Sequence, residues 1–332
     1  MEVKMSNLTA VILSPQAVKR QLCGVILSRL MVRGVLELEA AQLINFSEHE
    51  IEKLAFAAAD APAMVYILSG EDALNKTAAV IKNVNYSFAG DLAWAPENAE
   101  NLLATMRMLA SRAAGDNLLI PAPAAGEERT LLIIKPENFR QPSTRPGAII
   151  DILMQLDLKW VGCKVHGMSI EEALEFYGPV RQALRKKLGP KIGAKALAAA
   201  EKEFDFTFNS EAAQNFIELA GNGFADDQFE QIVEFMAGKR PGEVAVEDRS
   251  KPAGAKCMVL IFDGVDAVAK IRKVLGPTNP AEASGGTVRY DFGTNIMVNA
   301  AHASDSPESY ARESAIVKVN ENNLSKIAAK YR

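Results

Sequence analysis

The sequence predicts an α+β chain of two ferredoxin-like βαββαβ domains, the second carrying a helical insertion. Three observations predict it. TAVILSPQAV, from Thr9, returns as TLLIIKPENF from Thr130, an offset of 130 − 9 = 121 residues. AMVYILSGEDAL, Ala63 to Leu74, returns as CMVLIFDGVDAV, Cys257 to Val268, an offset of 257 − 63 = 194. Both halves run strand, helix, strand, helix, strand, and the second holds 194 − 121 = 73 additional residues between its first and third strands.

Each element carries its own signal. The apolar runs TAVIL and TLLII both lead to a proline, Pro15 or Pro136, within two residues. Proline has no N–H for a sheet ladder, so both strands stop there. CGVILSRLMVRGVLELEAAQL then matches PGAIIDILMQLDLKWVGCKVH, and in each a glycine, Gly24 or Gly147, opens an amphipathic helix that leads into a second strand. Between the copies, Pro121, Pro123 and Gly126 in a small-residue context read as a linker. The expected domains are therefore 1–113, a linker over 114–126, and 127–332. The additional residues divide into helices over about 185–227 and a surface loop over about 238–256. KIGAKALAAAEKEF is rich in strong helix formers. SEAAQNFIELAGNG offers Ser210 as an N-cap and Gly221 as a helix end.

Composition narrows the class. A chain of 332 residues with 48% hydrophobic and 23% charged residues is ordinary for two globular domains. A net charge of −4 argues against bulk nucleic-acid binding, although a local cluster of arginines can still hold small anions. Cys23, Cys163 and Cys257 are odd in number and far apart, with neither a disulfide framework nor zinc spacing. No secretory signal is legible at the start, and no apolar run approaches the roughly 18 residues of a membrane span. A cytoplasmic protein is expected.

The three histidines differ in kind. His49, between Glu48 and Glu50, reads as a solvated helix residue, and His166 as a strand residue. His302 follows Asn299 and precedes Ser304, Asp305 and Ser306, a pattern that no packing face requires. Around it runs IRKVLGPTNPAEASGGTVRYDFGTNIMVNAAHASDSPES. This stretch, without a gap, and RTLLIIKPENF before it, resemble the nucleoside diphosphate kinase family from Glu128 to about Lys318.

The resemblance implies roles by position. His302 is the nucleophile that becomes phosphohistidine, Glu313 orients its ring, and Ser304 supports both. Lys135 contacts the transferring phosphate and the ribose, and Tyr177 is the active-site tyrosine. Arg272, Thr278 and Arg289 hold the nucleotide phosphates, and Asn299 binds the sugar hydroxyl. The implied reaction moves the γ-phosphate of a nucleoside triphosphate to a nucleoside diphosphate. Mg²⁺ is the implied cofactor, carried by the nucleotide phosphates with no metal cage in the protein. A non-catalytic nucleotide-binding scaffold and a histidine phosphotransferase acting on a protein are the rival readings. The family's dimers and hexamers imply either a homo-oligomer or an intramolecular pseudo-dimer here.

The chemistry is coherent from below. A neutral imidazole, with a pKa of about 6.5, offers a lone pair at neutral pH without a separate base. The charge spread over a transferring phosphoryl group calls for fixed cations, here Arg272, Arg289 and Lys135. Several positions depart from the family's pattern. Lys-Pro-Glu-Asn, Lys135 to Asn138, stands where the family has Lys-Pro-Asp-Gly, Ala303 replaces a glycine, and Val298 replaces an arginine. Asp226 falls where an arginine touches phosphate and Gln228 where a phenylalanine stacks on the base, leaving Phe229 as the substitute stacker. The basic run Arg181, Arg185, Lys186, Lys187, Lys191 and Lys195 reads as one solvated helix face. The first copy has Ser14 in place of Lys135, Ala78 in place of Arg272, and no histidine after Ile81, so it is expected to be catalytically dead.

Overall fold

In the computed structural model, which describes residues 7–53, 61–113 and 116–330, the first apolar run forms β1 (Leu8–Leu13) with every residue buried. Ser14 then caps α1 (Pro15–Lys19), its hydroxyl accepting from the Ala17 amide at 3.3 Å. Helix α2 (Cys23–Gly34) buries Ile26, Leu27, Leu30 and Met31 on one face. The first repeat continues through β2 (Glu37–Ile44), α3 (Glu48–Lys53), β3 (Ala63–Ser69), α4 (Ala73–Ser87), β4 (Ala93–Trp94) and α5 (Ala99–Ala110). His49 is exposed on α3.

The second repeat opens with β5 (Glu128–Ile134), α6 (Arg145–Met154) and β6 (Lys159–His166). The helical segment α7 (Ile170–Phe176), α8 (Gly178–Phe204) and α9 (Ser210–Ala237) follows. The repeat then resumes as β7 (Cys257–Gly264), α10 (Ala267–Leu275), α11 (Val288–Phe292), β8 (Ala301–Ala303), α12 (Pro307–Ile316) and α13 (Leu324–Ala329). The two antiparallel sheets have corresponding orders, β2-β3-β1-β4 and β6-β7-β5-β8. These are the two ferredoxin-like sheets that the repeat predicts.

The chain divides into two compact units, residues 1–166 with 256–332, and residues 167–255. Both sheets belong to the first unit and share one core. Leu27, Leu30 and Met31 of α2 lie in the same buried cluster as Ile149, Ile150 and Leu153 of α6. The two helices approach at Gly24 and Gly147. A Cβ at Gly24 would lie 2.2 Å from the Gly147 carbonyl oxygen, and one at Gly147 would lie 2.1 Å from the Gly24 carbonyl oxygen. No side chain fits there, which explains why each helix carries a glycine in its first turn. A second apolar cluster lies on the other face of the first sheet, where Leu324 and Ala328 of α13 join Ile44, Leu102, Met106 and Leu109. Arg129 and Asp263 form a buried bidentate pair at 2.6 and 2.7 Å.

The second unit is a helical hairpin with a loop. Helix α7 starts at a complete capping box between Ser169 and Glu172. Helix α9 departs from the sequence expectation at two points. Its N-cap is Asn209 rather than Ser210, with the Asn209 side chain accepting from the Ala212 amide at 2.9 Å. Nor does Gly221 end it, for the helix continues to Ala237. Gly221 instead lets the hairpin's helices touch. A Cβ there would lie 2.1 Å from the Gly189 carbonyl oxygen of α8, and one at Gly193 would lie 2.0 Å from the Ile217 carbonyl oxygen. The expected loop holds two short 3-10 turns, Pro241–Glu243 and Val246–Asp248.

Gly221→Leu forces α8 and α9 apart. It is expected to destabilise the helical unit by at least about 2 kcal/mol, within the usual range for overpacking. Urea unfolding followed by far-UV circular dichroism measures this, and a shift below about 0.5 kcal/mol would contradict the close-approach account.

Candidate active site

The site is built at the edge of the second sheet, where β8 pairs with β5 and sets His302 opposite Ile133. Helix α12 starts just beyond, because Ser306 accepts from the Ser309 amide at 3.1 Å and Pro307 occupies the first turn. That start brings Glu313 back under the histidine. Glu313 Oε2 lies 2.9 Å from His302 Nε2 and accepts from the Ser304 hydroxyl at 2.8 Å. Arg312 donates to Glu313 Oε1 at 3.2 Å. The carboxyl group is 5% exposed, whereas the histidine side chain is 25% exposed. A buried acceptor on Nε2 draws the ring proton to that nitrogen and so fixes the tautomer. The hydrogen bond from Ser309 holds the Asp305 carboxyl below its ordinary range, and the nearby charge of Arg272 acts in the same direction.

A second group gathers under the loop that precedes β8. Lys135 leaves the end of β5, and its ammonium donates to the Met297 carbonyl and, at 3.1 Å, to Asn299 Oδ1. Asn299 donates in turn to the carbonyls of Thr278 at 3.1 Å and Ile296 at 2.8 Å. Burial lowers Lys135 to about 8, with Glu137 opposing that shift and Arg289 adding to it. Arg289 donates to the Gly276 carbonyl at 2.9 Å and the Ala301 carbonyl at 3.1 Å. Burial, with the charge of Arg272, lowers it to about 10. Arg272 itself is exposed on α10, and Thr278 is exposed on the loop.

Two of the positions that depart from the family's pattern, Glu137 and Asn138, have visible work. Glu137 Oε1 accepts from the Ala300 amide at 2.8 Å. Asn138 donates to the carbonyls of Lys135 at 3.0 Å and Ala300 at 2.9 Å, and accepts from Arg145 Nε at 3.0 Å. Arg145 also donates to the Phe292 carbonyl. Together they hold Ala300 at φ 70, a left-handed conformation that alanine rarely adopts, two residues before His302. Glu137, Asn138, Arg145 and Arg312 were not among the residues that sequence reasoning selected for the site. The departure at Lys-Pro-Glu-Asn was the available signal for the first two, and nothing in the sequence marked the arginines.

Two predicted residues lie in the helical unit. Tyr177 is buried where α7 meets α8, its ring 4.9 Å from that of Phe176. Phe229 departs from its expected role. Its ring is 2% exposed, with the Arg181 guanidinium 5.6 Å from its centroid, so it presents no open face on which a base could stack. Arg181 and Arg185, part of the predicted basic face, both grip Asp226 with two bonds each. Those bonds hold the Asp226 carboxyl far below its ordinary range.

The equivalent place in the first repeat has other residues. Ile12 pairs with Trp94 as Ile133 pairs with His302, so an indole takes the histidine's register position. Thr105 stands seven residues after the N-cap Asn98 (105 − 98 = 7), as Glu313 does after Ser306 (313 − 306 = 7). Its hydroxyl is turned to the Asn101 carbonyl at 2.7 Å. Among the described residues no cluster of three His, Cys, Asp or Glu side chains is placed to hold a metal ion. No described helix is long and apolar enough to cross a membrane.

Known proteins match this part of the chain. The family profile for nucleoside diphosphate kinase matches residues 227–322. The nucleoside diphosphate kinase of Methanoregula boonei is 52% identical over 63 residues, which cover 19% of this chain and 42% of that protein. That of Halorhodospira halophila is 30% identical over 186 residues, covering 56% of this chain and 89% of its own length. The solved nucleoside diphosphate kinase of Aquifex aeolicus aligns with 57% of this chain and 94% of its own, at 24% identity and a TM-score of 0.35.

Lys135 gives a pH signature. Unfolded, it keeps its proton to its ordinary 10.5, whereas folded it releases it near 8. Between those values the unfolded state binds more protons, so stability rises with pH through that window and the full cost of the buried charge remains below it. The denaturant midpoint of the parent should climb across this range, and the climb should be absent in Lys135→Met.

Proposed function

The chain belongs to the nucleoside diphosphate kinase family, a family of phosphotransferases, and from that premise we propose that it moves the γ-phosphate of a nucleoside triphosphate to a nucleoside diphosphate through phosphohistidine at His302. The observation that carries this reading is the bond between Glu313 and His302 Nε2. With the proton held at Nε2, the lone pair at Nδ1 is the nucleophile. It forms a bond to the γ-phosphorus as the bridging P–O bond breaks, and the nucleoside diphosphate leaves with the electron pair. A second nucleoside diphosphate then attacks the phosphohistidine through a terminal oxygen, and the P–N bond returns its electrons to Nδ1. Two half-reactions at one nucleophile give ping-pong kinetics.

Each further residue has a role in this reading. Glu313 stabilises the positive charge that grows on the ring as the phosphoryl arrives, and Ser304 and Arg312 keep the carboxylate aimed. Lys135, Arg272 and Arg289 supply the cations that the transferring group requires. Asn299, already bonded to Lys135, adds a polar group for the sugar, beside Thr278 for the phosphates. Lys135, Arg272 and Arg289 would repel a bare divalent cation, so Mg²⁺ would be held by the nucleotide phosphates and would supply further neutralisation of their charge. Tyr177 completes the set by its position in the sequence. The first repeat, with Ser14, Trp94 and Thr105 at the corresponding places, performs no transfer.

Incubation with γ-labelled ATP and Mg²⁺, followed by a chase with GDP, tests the proposal. Acid-labile label should form on the parent and leave to GDP. His302→Ala should lower transfer by at least about a thousandfold, and Glu313→Gln by about a hundredfold. Label that stays on His302 with every diphosphate would point to a protein acceptor. Absence of label with nucleotide still bound would point to a binding scaffold.

A further inference from the structure

We infer that Glu137 is a positioning residue, whose carboxylate locks the strained turn between Asn299 and His302 and couples that turn to the charge of Lys135. The inference deepens the reading of His302 given above, and rests on it for its kinetic part alone.

The Ala301 amide donates to the Asn299 carbonyl at 2.9 Å, which closes a three-residue turn centred on Ala300. Ala300 has φ 70, where the Cβ crowds the carbonyl that follows. Such a turn is rare and strained, and it persists where its surroundings hold it. Ala300 is fully buried, and one segment takes both of its backbone polar groups. Glu137 Oε1 accepts from the Ala300 amide at 2.8 Å. The Ala300 carbonyl accepts from the Lys135 amide at 3.0 Å and from the Asn138 side chain at 2.9 Å. Among these partners Glu137 alone brings a charged group to the contact.

That segment is short and stiff. Pro136–Asn138 forms a single 3-10 turn just after β5, with proline in its first position. Asn138 also accepts from Arg145 Nε at 3.0 Å, and Arg145 reaches on to the Phe292 carbonyl at the end of α11. Arg289 lies on that same helix, three residues earlier (292 − 289 = 3). One turn therefore holds Lys135 at its start, the approach to His302 through Ala300, and the helix of Arg289 through Arg145.

The second oxygen of Glu137 carries the other half of the inference. Oε2 is buried and makes no hydrogen bond among the described residues. A buried carboxylate oxygen without a donor is costly unless a cation offsets its charge. Lys135 is such a cation, and its ammonium donates to the neutral oxygens of Met297 and Asn299. The other charged or titratable groups at this end of the sheet are Arg145, Arg272, Arg289, Asp305, and His302 with Glu313. Burial lowers Lys135 to about 8, with Glu137 acting against that fall and Arg289 adding to it. Without the anion the ammonium form is less favoured, so its proton leaves at a lower pH.

Substitution separates the two tasks. Glu137→Gln keeps an oxygen for the Ala300 amide and removes the charge, whereas Glu137→Ala removes both. In the full chain carrying isotope-labelled lysine, the Lys135 signal is the one missing from Lys135→Met. By nuclear magnetic resonance it should titrate at a lower pH in Glu137→Gln than in the parent. The Ala300 amide should keep its protection from hydrogen exchange in Glu137→Gln and exchange at least about tenfold faster in Glu137→Ala. In the transfer reaction the alkaline limb of kcat/KM should begin at a lower pH in Glu137→Gln. Glu137→Ala should lower kcat by at least about tenfold, more than it raises KM. A Lys135 titration that does not move in Glu137→Gln overturns the inference, and so does an Ala300 amide as well protected in Glu137→Ala as in the parent. Both resonance readings stand when no phosphoryl transfer is detected, which tells failure of the His302 reading apart from failure of this one. Should Glu137→Ala fail to fold, the Lys135 titration in Glu137→Gln decides.

Discussion

The approach of α2 to α6 at Gly24 and Gly147 is the constraint on which the first unit depends. Two helix backbones come together where a single methyl group would strike a carbonyl oxygen at 2.1 or 2.2 Å. At that separation the large side chains on either side interdigitate, and the cores of the two sheets become one cluster. The strands beneath are fixed in turn, because β5 is a central strand and carries both β7 and β8. His302 sits on the shortest of the four strands, three residues long, so its position rests on that chain of support.

Electrostatics then explains how a net acidic chain gathers buried cations at the site proposed for phosphate. Lys135 and Arg289 are buried, and both have lowered proton affinity because little solvent is left to share their charge. Their present partners are mostly carbonyl and amide oxygens rather than carboxylates. Under the proposed function, an arriving phosphate would add an anionic partner to this dipolar environment. Glu313 presents the opposite case. Its buried carboxylate receives donors from Ser304 and Arg312 as well as the imidazole, so it holds the ring without being pulled wholly onto it.

The fold was legible wherever two copies of one pattern could be compared. The runs at Thr9 and Thr130, and those at Ala63 and Cys257, place two strands of each sheet, because buried strands keep an apolar composition even as residues change. The histidine with its serine and carboxylate was legible through family resemblance, and the structure brings His302, Ser304 and Glu313 within hydrogen-bonding distance. Two kinds of information were not legible. Gly221 read as a helix end because glycine is common there, yet it serves a close contact between helices that are remote in sequence. Phe229 read as a stacking ring because its neighbour was vacant in the family's pattern, while its burial is set by tertiary surroundings that no local signal records. Arg145 and Arg312 act through carbonyl and carboxylate groups that become neighbours on folding.

The replacement of His302 by Trp94 in the first repeat shows how packing and chemistry come apart on one scaffold. The register position is the same on both sheets, so the backbone demands nothing of the side chain there. In the second repeat the position faces a buried carboxylate, and a ring able to donate to it is required. In the first repeat the corresponding helix position holds Thr105, which bonds to its own helix. An imidazole without its acceptor would lose its fixed tautomer, while an indole loses nothing by the change. The buried face of α2, by contrast, packs into the core that it shares with α6.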